Sequence, residues 1–255
     1  MTRVPIKTPR EIALMKESGR LVAEVLAMIG KRIAPGVLTR ELDEDAEAYI
    51  RSHGGTPSFK GYGHDRNNLF PGTLCVSIDN VVVHGIPDGE MLEEGQVVSI
   101  DVGVKKNGFH GDGARTFPVG KISEEKARLL RVTEESLYKG IAEARAGNHL
   151  HDVSAAVQRH VEAAGFSVVR DLVGHGIGKN LHEEPAVPNF GDPGTGVVLK
   201  AGMTLAIEPM VNAGTSRVAI DEDGWTVRTM DGRPSAHFEH TIVVRAGEAE
   251  ILTKQ

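Results

Sequence analysis

The sequence predicts a mixed α/β (α+β) fold assembled from two related halves, and three observations predict it. Helix-like and strand-like patterns follow one another twice in the same order: helix, helix, strands. The segment from Pro35-Gly36 through Gly54 lies on the segment from Ala146-Gly147 through Gly165 with a constant offset and no gap, so that Leu42 falls on Val153 and Ile50 on Val161. Further on, Leu92-Glu93-Glu94-Gly95-Gln96-Val97-Val98-Ser99-Ile100-Asp101 parallels Leu199-Lys200-Ala201-Gly202-Met203-Thr204-Leu205-Ala206-Ile207-Glu208, and a carboxylate closes each copy. A repeat of roughly 110 residues in two copies is too long for a solenoid unit, so it reads as two halves, about 1–120 and 121–255, packed into one domain.

The elements follow in order. Thr8-Pro9-Arg10-Glu11 is a capping-box pattern with proline at the first helical position, and Ile12, Met15, Val22, Val25 and Ile29 continue it as an apolar stripe. Pro35-Gly36 interrupts that helix, and residues 38–53 form a second one stopped by Gly54-Gly55. Residues 74–78 and 97–104 are rich in Val and Ile and read as strands. A long helix over about 123–145, a break at Gly147 and a helix over 149–165 then repeat the pattern before the last strands.

At 40% apolar residues over 255 positions the chain can bury a substantial core. A net charge of -6 offers no broad basic surface, which disfavours nucleic acid or an anionic membrane as partner. Residues 1–12 lack the apolar core of a signal peptide, and no run reaches the ~20 apolar residues of a membrane span, so the expected location is the cytoplasm. Cys75 is the one cysteine, so no internal disulfide forms and any metal must be held by oxygen and nitrogen.

Each half carries a His-Gly-Ile (His84-Gly85-Ile86, His175-Gly176-Ile177), an acid after an apolar run (Asp101, Glu208) and a later acid (Asp112, Glu239). The runs before Asp101 and Glu208 place these carboxylates at or near buried strand ends. A buried carboxylate is costly unless it is paired or coordinates a cation, and several converging without cations raise one another's pKa. A pair of divalent ions resolves the conflict, since carboxylates suit hard cations and an imidazole adds a borderline ligand. Any one of these residues alone would read as a turn or core group; their recurrence in both halves points to chemistry at the seam. The glycines of Gly174-His175-Gly176-Ile177-Gly178 match neither a phosphate loop nor a dinucleotide fingerprint, and read as room for close approach to metal or substrate. No nucleophile elbow is present, and Cys75, in an apolar run, reads as a buried inert thiol. His149, His151 and His160 read as solvated.

Val83-His84-Gly85-Ile86-Pro87, Asp101 with Asp112, Gly174-His175-Gly176-Ile177-Gly178, His182-Glu183-Glu184-Pro185, Ile207-Glu208-Pro209-Met210 and Glu239-His240-Thr241 together resemble the type I methionine aminopeptidases, in order and over nearly the whole chain. The resemblance implies a pita-bread fold, two pseudo-symmetric halves around a central β-sheet, and a single catalytic domain. It implies two divalent ions (manganese, iron or cobalt), with Asp101 on one, His175 and Glu208 on the other, and Asp112 and Glu239 bridging. It makes His84, His182 and Glu208 catalytic: His182 at the developing oxyanion, His84 at the scissile nitrogen, Glu208 as proton carrier. It implies a methionine pocket walled by Tyr62, Phe70, Cys75 and Trp225 and bordered by His84 and His182. The expected substrates are nascent peptide N-termini starting with methionine and a small second residue, met at the ribosome by a monomer.

Residues 64–69 lengthen the loop before Phe70 relative to the usual family spacing, and Leu181 stands where the family often carries an aromatic residue. Only 31 residues separate Glu208 from Glu239, which leaves no room for the insertion of type II enzymes. Two competing readings are a proline-specific peptidase of the same fold, whose large extra N-terminal domain has no counterpart in the ~80 residues before His84, and a metal-free binding protein, which would be expected to have lost ligands.

Overall fold

A computed structural model describes residues 4–63 and 65–254. The first half contains helices α1 (Pro9–Gly30) and α2 (Thr39–Ser52) and strands β1 (Thr56–Pro57), β2 (Leu74–Ile78), β3 (Val81–Val83), β4 (Val97–Lys106) and β5 (Phe109–Pro118). The second contains α3 (Glu124–Glu143) and α4 (Leu150–Ala163), then β6 (Ser167–Val168), β7 (Gly174–Gly176), β8 (Glu183–Val187), β9 (Thr204–Ile207) and β10 (Met210–Asn212). It finishes with β11 (Val218–Ile220), β12 (Val227–Thr229), β13 (Ser235–His237), β14 (His240–Val243) and β15 (Glu250–Ile251). The predicted helix pairs and the two predicted strands are thus present, the helices within a few residues of their expected ends.

Local chemistry explains the helix placements. Thr8 and Glu11 form the expected reciprocal cap on α1, which satisfies two of the helix's orphan N–H groups. Its stripe of Ile12, Met15, Val22, Val25 and Ile29 is buried, and full burial of a residue such as Val22 stabilises by ~1.5–3 kcal/mol. The helix lies directly on β5, where a Cβ at Gly111 would fall 2.8 Å from the main-chain nitrogen of Gly19. Helix α2 has no side-chain cap; Asp43 within it accepts from the main-chain N–H of Thr73 and of Leu74, 2.7 Å each, and so ties the helix to the start of β2.

Each half has its own core. Residues of α1 and α2 pack on β2 and β4 in one, and residues of α3 and α4 pack on β9 and β14 in the other. In the first half β4 pairs with β1, β2 and β5; in the second the strand order is β15-β14-β9-β7-β8. The halves meet where β5 runs antiparallel to the start of β14. Glu239 N–H donates to the Ala114 carbonyl (2.9 Å) and the Thr241 hydroxyl both accepts from Asp112 N–H (3.0 Å) and donates to the Asp112 carbonyl (2.8 Å). Across the same seam Thr116 makes the matching pair of bonds to His237. A third apolar cluster, with Phe59, Phe70, Cys75, Ile177 and Leu181 among its members and Tyr62 and Trp225 against it, supplies one wall of the site.

Candidate active site

All eleven residues singled out from the sequence, Tyr62, Phe70, Cys75, His84, Asp101, Asp112, His175, His182, Glu208, Trp225 and Glu239, line one cavity of about 280 Å³. The backbone makes this so. Asp101 and Asp112 face the same side of the β4–β5 hairpin, in which Asp101 lies opposite Ala114 and Gly103 opposite Asp112. In the second half His175 on β7 pairs with Ala206 on β9, Glu208 follows β9, and Glu239 precedes β14, whose His240 lies opposite Ile207. The seam bonds between Ala114 and Glu239 close the two sets on each other.

The side-chain atoms are at the spacing of a shared cation. One atom each of Asp112, His175 and Glu239 lie within 4.8 Å of one another, and so do atoms of Glu208, His237 and Glu239. His175 Nε2 stands 3.6 Å from Glu208 Oε1 and 4.0 Å from Asp112 Oδ2, separations that two ligands ~2 Å from one ion would have. Asp101 Oδ1, Glu239 Oε1 and His237 Nε2 are buried with no hydrogen-bond partner in the structure. Buried polar atoms are nearly always satisfied, so the donor set fits divalent ions that would satisfy the two carboxylate oxygens.

Electrostatics agrees. Burial pushes Asp112 up to about 7, and burial together with the neighbouring carboxylates holds Asp101, Glu208 and Glu239 well above the ordinary carboxylate range. These are acids crowded in a low-dielectric pocket without compensating charge. Burial lowers His175 to about 3 and His84 to about 4, with His182 adding to both. A neutral imidazole is the form that can ligate a metal.

The remaining groups surround this cluster. The Tyr62 hydroxyl is hydrogen-bonded to His182 Nδ1, and the His182 ring meets the His175 ring edge-on at 4.3 Å. His84 lies after β3 with a left-handed φ of 59°, its ring bonded to the Trp225 main chain. That conformation is uncommon for a residue with a Cβ. Gly85 cannot be replaced beside it, because a Cβ there would fall 2.2 Å from the Val76 carbonyl oxygen. Phe70 packs edge-on against Trp225 at 5.4 Å.

Several expectations need correction. Asp101 is in the middle of β4, not at a strand end, because the β4–β5 pairing runs unbroken for ten residues on each strand; Glu208 does follow its strand. The glycines of the 174–178 run make room for protein atoms rather than metal or substrate: a Cβ at Gly174 would meet the Ala206 carbonyl oxygen at 2.4 Å, at Gly176 that of Glu184 at 2.1 Å, and at Gly178 the Lys7 side chain at 2.4 Å. The His-Gly-Ile echo is local in sequence only, since His175 lies in β7 and His84 in no strand. His149, His151 and His160 are half-buried and each has a partner: the Gly196 carbonyl, the Thr195 hydroxyl and the Glu135 carboxylate. Residue 64 of the lengthened loop lies outside the described residues. Sequence reading missed Phe59 and Met210 in the lining and His237 behind Glu208, with Nε2 3.6 Å from Glu208 Oε2. The signal for His237 was available: two residues before Glu239 is the same face of an extended chain.

Comparison with known proteins agrees with this geometry. The model of metallopeptidase family M24 matches residues 13–246. A methionine aminopeptidase of Clostridium perfringens is 54% identical over 97% of this chain and 98% of its own length. The crystal structure of a methionine aminopeptidase from Thermotoga maritima superposes with a TM-score of 0.96 at 47% identity, covering 99% of this chain and 100% of that one. The prolidase of Pyrococcus furiosus, at 21% identity and a TM-score of 0.78, shares the fold, and this chain spans 65% of its length. With identity near half over essentially full length and the expected pita-bread architecture in place, the chain belongs to metallopeptidase family M24, among its methionine aminopeptidases.

Proposed function

We propose that the chain hydrolyses the first peptide bond of proteins that begin with methionine, as a metal-dependent aminopeptidase. The observation that carries this reading is the one cavity that joins four acids, Asp101, Asp112 and Glu239 buried and Glu208 half-buried, and the His175 imidazole to an apolar wall. Asp101 would hold one divalent ion, His175 and Glu208 the other, with Asp112 and Glu239 between them. The ions supply Lewis acidity, which makes a water nucleophilic near neutral pH and polarises the scissile carbonyl. Manganese, iron and cobalt all suit such a donor set.

The chain's own groups then act on the substrate. Glu208 takes the attacking water's proton on a carboxylate oxygen and delivers it to the leaving amine. His182 Nε2 donates to the oxygen that gains charge, the Tyr62 hydroxyl on Nδ1 fixing the ring so that Nε2 carries the hydrogen. His84 borders the scissile nitrogen and crowds the second residue, which favours Ala, Ser or Gly there. Tyr62, Phe70, Cys75 and Trp225 take the methionine side chain through apolar and sulfur–aromatic contacts, and a charged first residue would be buried unpaired. His237 Nε2, on the other side of Glu208 from His175, is placed to hold that carboxylate.

The natural substrates are nascent N-termini, met in the cytoplasm as they leave the ribosome, where initiator methionine first becomes available. Both halves of the ligand set come from one chain, which supports a monomer acting as one catalytic domain. The decisive experiment is turnover of Met-Ala-Ser, Met-Lys-Ser, Leu-Ala-Ser and Gly-Pro-type peptides after reconstitution with each metal. Cleavage of Met-Ala-Ser alone is expected. Equal cleavage of Leu-first peptides would make it a general aminopeptidase, and preference for proline at the second position would place it with the proline-specific enzymes.

A further inference from the structure

The loop over residues 65–69 ends on the pocket at Phe70. Its base is pinched by two main-chain bonds, Gly61 N–H to the Phe70 carbonyl and Phe70 N–H to the Tyr62 carbonyl, both 2.8 Å. Above that base Asp65 organises the turn, accepting from Asn67 N–H on its carboxylate (2.9 Å) and from Asn68 N–H on its carbonyl (3.0 Å). Asn68 then reaches across to the turn before β12. Its Oδ1 accepts from the Trp225 indole N–H at 3.2 Å, and its Nδ2 donates to the Asp223 carbonyl at 3.0 Å.

The far side is shaped to receive it. Gly224 has φ of 77°, and a Cβ there would fall 2.7 Å from Asn68 Nδ2, so glycine serves both the turn and the docked amide. Asp223 accepts from Trp225 N–H, Thr226 N–H and the Thr226 hydroxyl, at 2.8, 2.8 and 2.6 Å, so the partner of Asn68 is itself held. The indole N–H takes its acceptor from Asn68, and a side-chain amide can accept from the indole and donate to a carbonyl at once.

We propose that residues 65–69 form a clasp in which Asn68 fixes Trp225 as a wall of the first-residue pocket, making Asn68 a specificity-determining positioning residue. This rests on the reading of that pocket as the methionine site. Phe70 is bound to the loop's base and packs edge-on against the indole, so the clasp sets the spacing between two walls. Trp225 also borders His84, with ring centroids 6.5 Å apart, but among the described residues no hydrogen bond or ion pair joins the clasp, residues 65–69, to the metal-facing acids. Its loss therefore weakens substrate binding and selection more than the chemical step.

Trp225 is the one tryptophan in the chain, so its emission reports the clasp directly. In the metal-loaded enzyme Asn68→Ala is expected to move that emission to longer wavelength and raise its quenching by acrylamide. KM for Met-Ala-Ser should rise roughly 5- to 10-fold with kcat within about twofold, the scale of losing hydrogen bonds that position a wall. Selectivity for Met-Ala-Ser over Leu-Ala-Ser should fall, and Asn68→Ala added to Trp225→Phe should raise KM no further. Unchanged emission and KM in Asn68→Ala, or additive KM changes in the double variant, would overturn the clasp. Failure of the wild type to cleave Met-Ala-Ser would instead sink the assigned reaction, and the emission change would still decide whether the clasp exists.

Discussion

The two halves present their acids from different kinds of backbone. In the first, Asp101 and Asp112 stand midway along ten-residue strands that pair without interruption. In the second, Glu208 follows a strand of four residues and Glu239 precedes another of four. An unbroken ladder fixes two carboxylates against each other, whereas broken strands let the chain turn out and build the walls of a cavity around them. The histidines two residues before the central acids show the same contrast. His110, before Asp112, is buried with Nδ1 2.8 Å from the Ser58 hydroxyl, and His237, before Glu239, leaves Nε2 unpartnered and aimed at Glu208. The first half holds its histidine in a satisfied bond and the second leaves its histidine open, while each half carries one buried carboxylate oxygen without a partner, Asp101 Oδ1 and Glu239 Oε1.

The largest effect should come where the halves share a ligand. Glu239→Ala is expected to abolish activity and the tight binding of at least one metal equivalent, read by emission spectroscopy on the purified protein; an active variant with both equivalents would remove Glu239 from the site. Next in size, His182→Ala should lower kcat by about 10²-fold or more, the cost of an oxyanion donor, while metal content holds. Loss of metal in that variant would make His182 a ligand.

The paired histidines test the contrast itself. His237→Leu should lower kcat about tenfold and weaken one metal equivalent, and His237→Gln, whose amide can still donate to Glu208, should recover most of both. His110→Leu should leave kcat intact but cost about 1–3 kcal/mol in urea unfolding, because the Ser58 hydroxyl is left buried and unpaired. If the two leucine variants behave alike, the halves do not divide as described.

The smallest effect is a pH dependence of the metal-stripped protein. Asp112 holds its proton to about 7 in the folded chain and releases it near the ordinary carboxylate value, about 3.9, when unfolded. The folded state therefore binds more protons between those values, and unfolding free energy should fall as pH rises through that window, at up to about 1.4 kcal/mol per pH unit for each proton retained. Melting curves at pH 5 and 7 with a chelator check the sign. Added manganese should raise the melting temperature most at the higher pH.

Much of this was legible because local chemistry and fold agree. The capping box at Thr8 and Glu11 specifies where α1 begins, and the ungapped repeat places the helix pairs. The proposed ligands were legible as a set because both copies carry an acid after an apolar run and a later acid, and all four acids line one cavity. What escaped depended on contacts distant in sequence. The expectation of Asp101 at or near a strand end conflicts with the reading of 97–104 as one strand, and the ten-residue pairing with β5 decides for the strand interior. The roles of Gly174 and Gly176 needed the neighbouring strands, whose carbonyls occupy the space a Cβ would take. Tyr62 was legible as an apolar wall, but its bond to His182 joins residues 120 apart.

Cys75 lies on β2 directly opposite Asp101, 4% exposed, its thiol driven well above its ordinary value first by burial and then by the acids around it. Burial and a raised pKa therefore make Cys75 slow toward thiol reagents, whose attack needs an accessible thiolate. As the chain's one cysteine, it can be labelled only in the moments when this wall opens, so the labelling rate is a clock for the breathing of the pocket. Any peptide or metal that fills the cavity against this wall should slow that clock, which turns a residue with no part in the chemistry into a gauge of occupancy that needs no turnover.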